Sequence, residues 1–130
     1  MYRATTEGIE ITVAPAYSEE RSDPAHGLYF WTYTIEIVNR GEETVQLLSR
    51  EWHITDALAQ EEVVRGPGVV GEQPVLAPGE RHRYTSGCPL PTPSGSMEGH
   101  FIMSRFGKET FKAQVPPFSL DLPGAITSLN

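Results

Sequence analysis

Apolar and polar positions alternate with a period of two over much of the chain, the spacing of strands with one face in water and one in a core. Ile9, Ile11 and Val13 interleave with Glu10 and Thr12, and Pro15 marks an edge or a strand end. Residues 29–39, Tyr-Phe-Trp-Thr-Tyr-Thr-Ile-Glu-Ile-Val-Asn, are almost all aromatic or β-branched, with Tyr29, Trp31, Tyr33, Ile35 and Ile37 on one face. Asn39-Arg40-Gly41-Glu42 supplies turn residues, and residues 45–54 resume as a strand whose Leu48, Trp52 and Ile54 share a parity. The pattern predicts that these two strands form a hairpin. A turn at 56–60, a short strand at 62–65 and a glycine-rich loop at 66–71 follow. Leu76-Ala77-Pro78-Gly79-Glu80 is a tight turn into a strand at 81–86. The proline-rich stretch 88–95 is expected as a surface connection, before strands at 96–105 and 110–115. Beyond Pro116 and Pro117, Phe118, Leu120 and Leu122 alternate with Ser119 and Asp121 as a last extended segment. About seven short strands separated by turns, with no helical period, predict an all-β immunoglobulin- or fibronectin type III-like sandwich.

Composition agrees. The chain has 130 residues, the size of a single domain spanning 1–130, and its 12 glycines and 11 prolines break any long helix. A net charge of −7 repels phosphate backbones, so no nucleic-acid partner is expected. No window approaches the roughly 18 apolar residues that cross a bilayer, and residues 1–7 carry no signal-peptide core. No membrane insertion and a cytoplasmic location are the expectation. Cys88 is the single cysteine, which excludes an intrachain disulfide and a thiolate cluster.

The sharpest chemical motif is Gly66-x-Gly68-x-x-Gly71, a string match to the dinucleotide-binding fingerprint. That fingerprint needs a helix opening at the glycines, whereas here Glu72, Gln73 and Pro74 follow and Pro78-Gly79 breaks the chain. The motif therefore reads first as a structural turn, and second as an anion-binding loop formed by Arg65, Gly66, Gly68 and Gly71, against which Glu72 places a negative charge. His26, His53, His82 and His100 are not spaced as metal ligands, and the pairs Glu42-Glu43 and Glu61-Glu62 read as solvated charge, leaving any metal site unknown. Cys88 has no neighbouring histidine and Ser86 no nucleophile elbow, so no catalytic residue and no cofactor are expected. Trp52 is assigned to the core, and Trp31 to either core or surface.

Five blocks of sequence carry a resemblance. Residues 45–56 (VQLLSREWHITD), 66–74 (GPGVVGEQP), 78–80 (PGE), 84–87 (YTSG) and 95–99 (GSMEG) strongly resemble the bacterial ApaG family, over nearly the whole chain from Ile11 to Asn130. The most specific of them is 66–74. The resemblance implies a fibronectin-like sandwich, a cytoplasmic location and an association with cobalt resistance and magnesium efflux. Related domains fused within eukaryotic F-box proteins and a polymerase-interacting protein imply a partner-binding module. The expectation is thus a non-enzymatic interaction protein, with a phosphate, nucleotide or divalent-metal sensor at the 66–71 loop as the alternative. The protein partner is unknown, and the segment 118–122 offers an edge for a homodimer unless the tail folds back on its own sheet.

Overall fold

The computed structural model describes residues 1–124, and in them the alternating runs form two antiparallel sheets packed face to face. The strands are β1 (Tyr2–Thr6), β2 (Ile9–Tyr17), β3 (Tyr29–Asn39), β4 (Val45–Asp56), β5 (Glu61–Pro67), β6 (Val75–Leu76), β7 (Arg81–Leu90), β8 (Gly95–Ser104) and β9 (Phe111–Leu120). One sheet runs β1-β2-β3-β7 and the other β5-β4-β8-β9, with β6 also paired to β4. The all-β sandwich expected from periodicity is what the chain adopts, with β1 and β6 added to the strands read from the sequence.

The hairpin expected of β3 and β4 does not form. β3 pairs with β2 and β7, β4 with β5, β6 and β8, so the chain crosses between sheets at residues 40–44. Asn39 explains the crossing: it is buried, its amide nitrogen donates to the Glu43 carbonyl at 2.7 Å and the Leu76 carbonyl at 2.9 Å, and its side-chain oxygen accepts from the Gly41 amide at 2.9 Å. A turn tied to a residue of the other sheet cannot also close a flat hairpin. Parity also shifts within β4. Leu48 has no partner on β8, a bulge between the Leu47–Met103 and Ser49–Ile102 pairs, so Val45 and Leu47 point inward before it and Arg50 and Trp52 after it.

Proline placement follows the edges. β1 reaches only as far as Val13 of β2, so Pro15 lies where one side of β2 is free. β7 continues through Pro89 to Leu90, further than the strand read from the sequence, because it pairs with β3 alone and its other edge needs no amide from Pro89. β9 continues through Pro116 and Pro117, which together face the single Glu98 in a second bulge. The tail therefore folds back: Phe118 pairs with Met97, and Phe118 and Leu120 are buried.

The core centres on Trp52, whose ring meets Tyr33, Phe118 and Phe101 with centroids 5.5, 6.0 and 6.2 Å apart. Trp31 is buried too, its indole nitrogen donating to the Asp121 carbonyl at 2.8 Å. One side of the sandwich is closed, where the Ser119 amide donates to the Tyr2 hydroxyl at 3.3 Å and the Gln114 amide to Thr6 Oγ1 at 3.2 Å. On the other side β5 and β7 end their sheets without a further strand.

Candidate functional site

The glycine segment lies on that open side, and its glycines serve the backbone. Val69 donates to the Glu72 carbonyl at 2.8 Å and Glu72 to the Val69 carbonyl at 3.0 Å, closing a two-residue turn at Val70 and Gly71, whose φ values are 46° and 78°. Two successive positive φ values are the sign of a type I′ turn. Gly68, at φ 60°, donates to the Leu48 carbonyl at 2.9 Å, one step beyond the Ser49–Pro67 pair of β4 and β5, and Gln73 Nε2 donates to the same oxygen at 2.8 Å. No helix follows; the chain enters β6. Gly68 and Gly71 thus shape one bend that follows Gly66 near the end of β5, with the Val69 and Glu72 amides engaged inside it and the Gly68 amide bonded to β4. Arg65 points elsewhere: its Nε donates to Glu51 Oε1 at 2.6 Å on the outer face of the sheet.

The cation that faces the glycines is Arg50. Its Nη1 donates to the Pro67 carbonyl at 3.0 Å and the Gly68 carbonyl at 2.9 Å. The guanidinium lies flat against Gly66, where a Cβ would stand 3.0 Å from both terminal nitrogens. Among the described residues Arg50 makes no ion pair with a carboxylate, so a half-buried positive charge is held by neutral carbonyls alone. The shared parity of Leu48, Trp52 and Ile54 already puts residue 50 on the side of Trp52, but nothing in the sequence signals that an arginine there meets the glycine loop, because that contact is made across strands.

Around Arg50 several inward positions of the two edge strands are polar. Glu62, Val64 and Gly66 of β5 pair with Ile54, Trp52 and Arg50, and Tyr84 and Ser86 of β7 pair with Ile35 and Tyr33. Between them lies a cleft of about 330 Å³ bounded by Tyr33, Arg50, Trp52, Glu62, Ser86 and Cys88. A hollow of about 210 Å³ shares Tyr33, Arg50, Trp52 and Ser86 with it and reaches Tyr84 and Val69. The Tyr84 hydroxyl is buried there without a hydrogen-bond partner among the described residues, a state that costs about 1–3 kcal/mol unless water or a ligand satisfies it. Burial raises its pKa. Burial likewise raises Tyr33, against a lowering by the neighbouring Ser86 hydroxyl, and pushes the Cys88 thiol up to about 11. A thiol so held is protonated near neutral pH and a poor nucleophile.

The outer face of the same sheet carries charge of both signs. His53 Nε2 donates to Glu51 Oε2 at 2.8 Å, and with Arg65 on its other oxygen the Glu51 carboxyl is held at about 2. His53 is raised, chiefly by the bond to Glu51, whereas burial lowers His100 on β8. No group of three or more His, Cys, Asp or Glu side chains among the described residues is placed to hold a metal ion.

Comparison with known proteins places this arrangement in a family. The profile described as the ApaG domain matches residues 19–105. Protein ApaG of Mesorhizobium japonicum is 57% identical over 130 residues, 100% of both chains, and that of Rhodopseudomonas palustris 58% over the same span. Among solved structures, the putative ApaA protein of Bordetella pertussis superposes with a TM-score of 0.86 at 44% identity, covering 88% of this chain and 94% of that one. The C-terminal domain of wzt, at 13% identity and a TM-score of 0.56 over 92% of this chain and 76% of that one, shares the fold.

Proposed function

The chain belongs to the ApaG family, and from that premise we propose that it is a non-enzymatic interaction module of divalent-cation homeostasis that receives its protein partner along the free edge of β5. The observation that carries this reading is the asymmetry of the sandwich. Side chains bridge the β1/β9 side, while among the described residues β5 pairs with β4 alone and leaves its other edge open, with Val63 in its middle 39% exposed. An unpaired strand edge is a template for an added strand, which gains affinity from main-chain hydrogen bonds and specificity from alternate side chains. Glu61, Glu62 and Arg65 along the same strand restrict what can add to it, as charges on natural edges do. Cys88 as a buried reduced thiol and the family association with cobalt resistance and magnesium efflux suit a cytoplasmic protein acting on an ion-transport system through contact.

Val63→Lys tests this, since a charge on an exposed edge position opposes strand addition without disturbing the core. Cells carrying the variant are expected to be as sensitive to cobalt as cells lacking the gene, and the variant to lose the proteins that the natural chain retains in a crosslinked capture. If the folded variant restores cobalt resistance and keeps the same partners, β5 is not the docking edge. Sedimentation of both proteins over a concentration series reads whether the added strand comes from a second copy of this chain.

A further inference from the structure

We propose that the cleft between β5 and β7 binds a small monoanion with a flat apolar body, an aromatic carboxylate, its charge on Arg50 and its ring against Trp52. This site is separate from the β5 edge used above. Three features of the cleft converge on that chemistry.

The first is charge. Arg50 faces the cleft without an ion pair to any described carboxylate, Glu62 standing at the wall beyond pairing distance, and only Nη1 is engaged, with the Pro67 and Gly68 carbonyls. Nε and Nη2 donate to no described residue, and a guanidinium edge matches the two oxygens of a carboxylate. The guanidinium is also pre-positioned, because Gly66 offers no side chain to displace it and the two carbonyls fix its plane. The second feature is the Tyr84 hydroxyl, buried in the adjoining hollow with no partner among the described residues, a donor for the same carboxylate. The third is shape. Tyr33 and Trp52 present rings to a space of about 330 Å³, room for a one- or two-ring acid, and Ser86 adds a hydroxyl. Ligand sites of this kind pair apolar walls with a few convergent polar groups.

The cleft also selects against higher charge. Glu62 stands at its wall, and the chain as a whole carries −7, so a phosphate dianion meets repulsion that a monocarboxylate largely escapes.

The test uses the full chain labelled with nitrogen-15 and follows the Trp52 indole N–H and the Arg50 Nε–H while benzoate or indole-3-acetate is added. Saturable shifts are expected with Kd about 1 mM or tighter, the range for ligands of ten or so heavy atoms. The neutral isosteres benzamide and indole-3-acetamide should bind at least about tenfold more weakly, and inorganic phosphate should leave both signals in place. Arg50→Gln should abolish acid binding and Tyr84→Phe weaken it about threefold or more. Should Arg50→Gln fail to fold, Tyr84→Phe and the acid–amide comparison decide alone. The proposal falls if neither acid shifts Trp52 up to about 20 mM, if acid and amide bind alike, if phosphate binds more tightly than the acids, or if Tyr84→Phe binds benzoate as the natural chain does. None of these readouts depends on the protein partner, so this result and that of Val63→Lys fail independently.

Discussion

Gly68 and Gly71 stand three residues apart in one motif, and both adopt positive φ, 60° and 78°. Their surroundings differ. A Cβ on Gly68 would lie 2.3 Å from the Glu72 carbonyl oxygen, inside the turn, whereas nothing lies within 4 Å of one on Gly71. Gly71→Ala should therefore cost about 1 kcal/mol, the strain of a left-handed residue, and Gly68→Ala at least about 2 kcal/mol, since backbone must move as well. Urea denaturation midpoints measure the pair, and equal losses would mean that strain alone is at work. On the outer face, His53 is raised above its ordinary 6.5 by its bond to Glu51. A histidine raised in the fold contributes its stabilisation fully below the unfolded value and loses it as pH rises through the folded one. Glu51, held at about 2, remains the charged partner across that whole interval. The His53 ring should titrate above 6.5 by nuclear magnetic resonance and fall toward it in Glu51→Gln, while His100, lowered by burial, titrates below. A His53 midpoint unmoved by that substitution would break the assignment.

Two bulges determine what the strands present. Without the unpaired Leu48, Ser49, Glu51 and His53 would share the inward parity of Val45 and Leu47, and Arg50 would face solvent. The Leu48 carbonyl meanwhile continues the pairing toward β5, holding Gly68 and Gln73, so the loop that cradles the cation is anchored beside the bulge. In β9 the Pro116-Pro117 bulge lets the strand continue, and Phe118 beyond it packs on Tyr2, Tyr33 and Trp52 with centroids 6.1, 5.8 and 6.0 Å away. Removing that ring leaves a cavity at the centre of the core, so Phe118→Ala should cost about 3–5 kcal/mol. Truncation before Phe118 should unfold the domain, seen as loss of a cooperative thermal transition. A truncated chain that keeps a cooperative transition would show that the packing of Phe118 is dispensable for the fold.

At the scale of the whole molecule the sandwich is asymmetric. The Tyr2 and Thr6 side chains bond across the β1/β9 side, and polar inward residues collect on the β5/β7 side. A sandwich whose inward positions were uniformly apolar would close on both sides; Arg50, Glu62, Tyr84 and Ser86 keep one side open. The segregation places the free β5 edge and the anion cleft next to one another, so that a partner strand and a small ligand would share one surface of the protein.

The all-β class, the positions of most strands and the burial of Trp52 are legible in the chain, because a period of two and the density of glycine and proline are local properties that survive any packing. The sequence also shows that the 66–71 glycines lack the helix a nucleotide fold requires, since Pro74 and Pro78 are there to be read. Which sheet each strand joins depends on contacts distant in the chain. Residues 40–44 look like a hairpin turn, and only the buried Asn39, bonded to Leu76 across 37 residues of chain, makes them a crossover. The tertiary structure also decided the parity before Leu48, where Val45 and Leu47 turn inward, because a bulge is defined by the partner strand β8, which lies about fifty residues on and leaves no local mark on Leu48 itself. Arg65 beside the glycines is the obvious cation in the sequence, and Arg50, fifteen residues earlier, is the one the fold aims at them, since adjacency along a strand alternates faces while adjacency across strands does not.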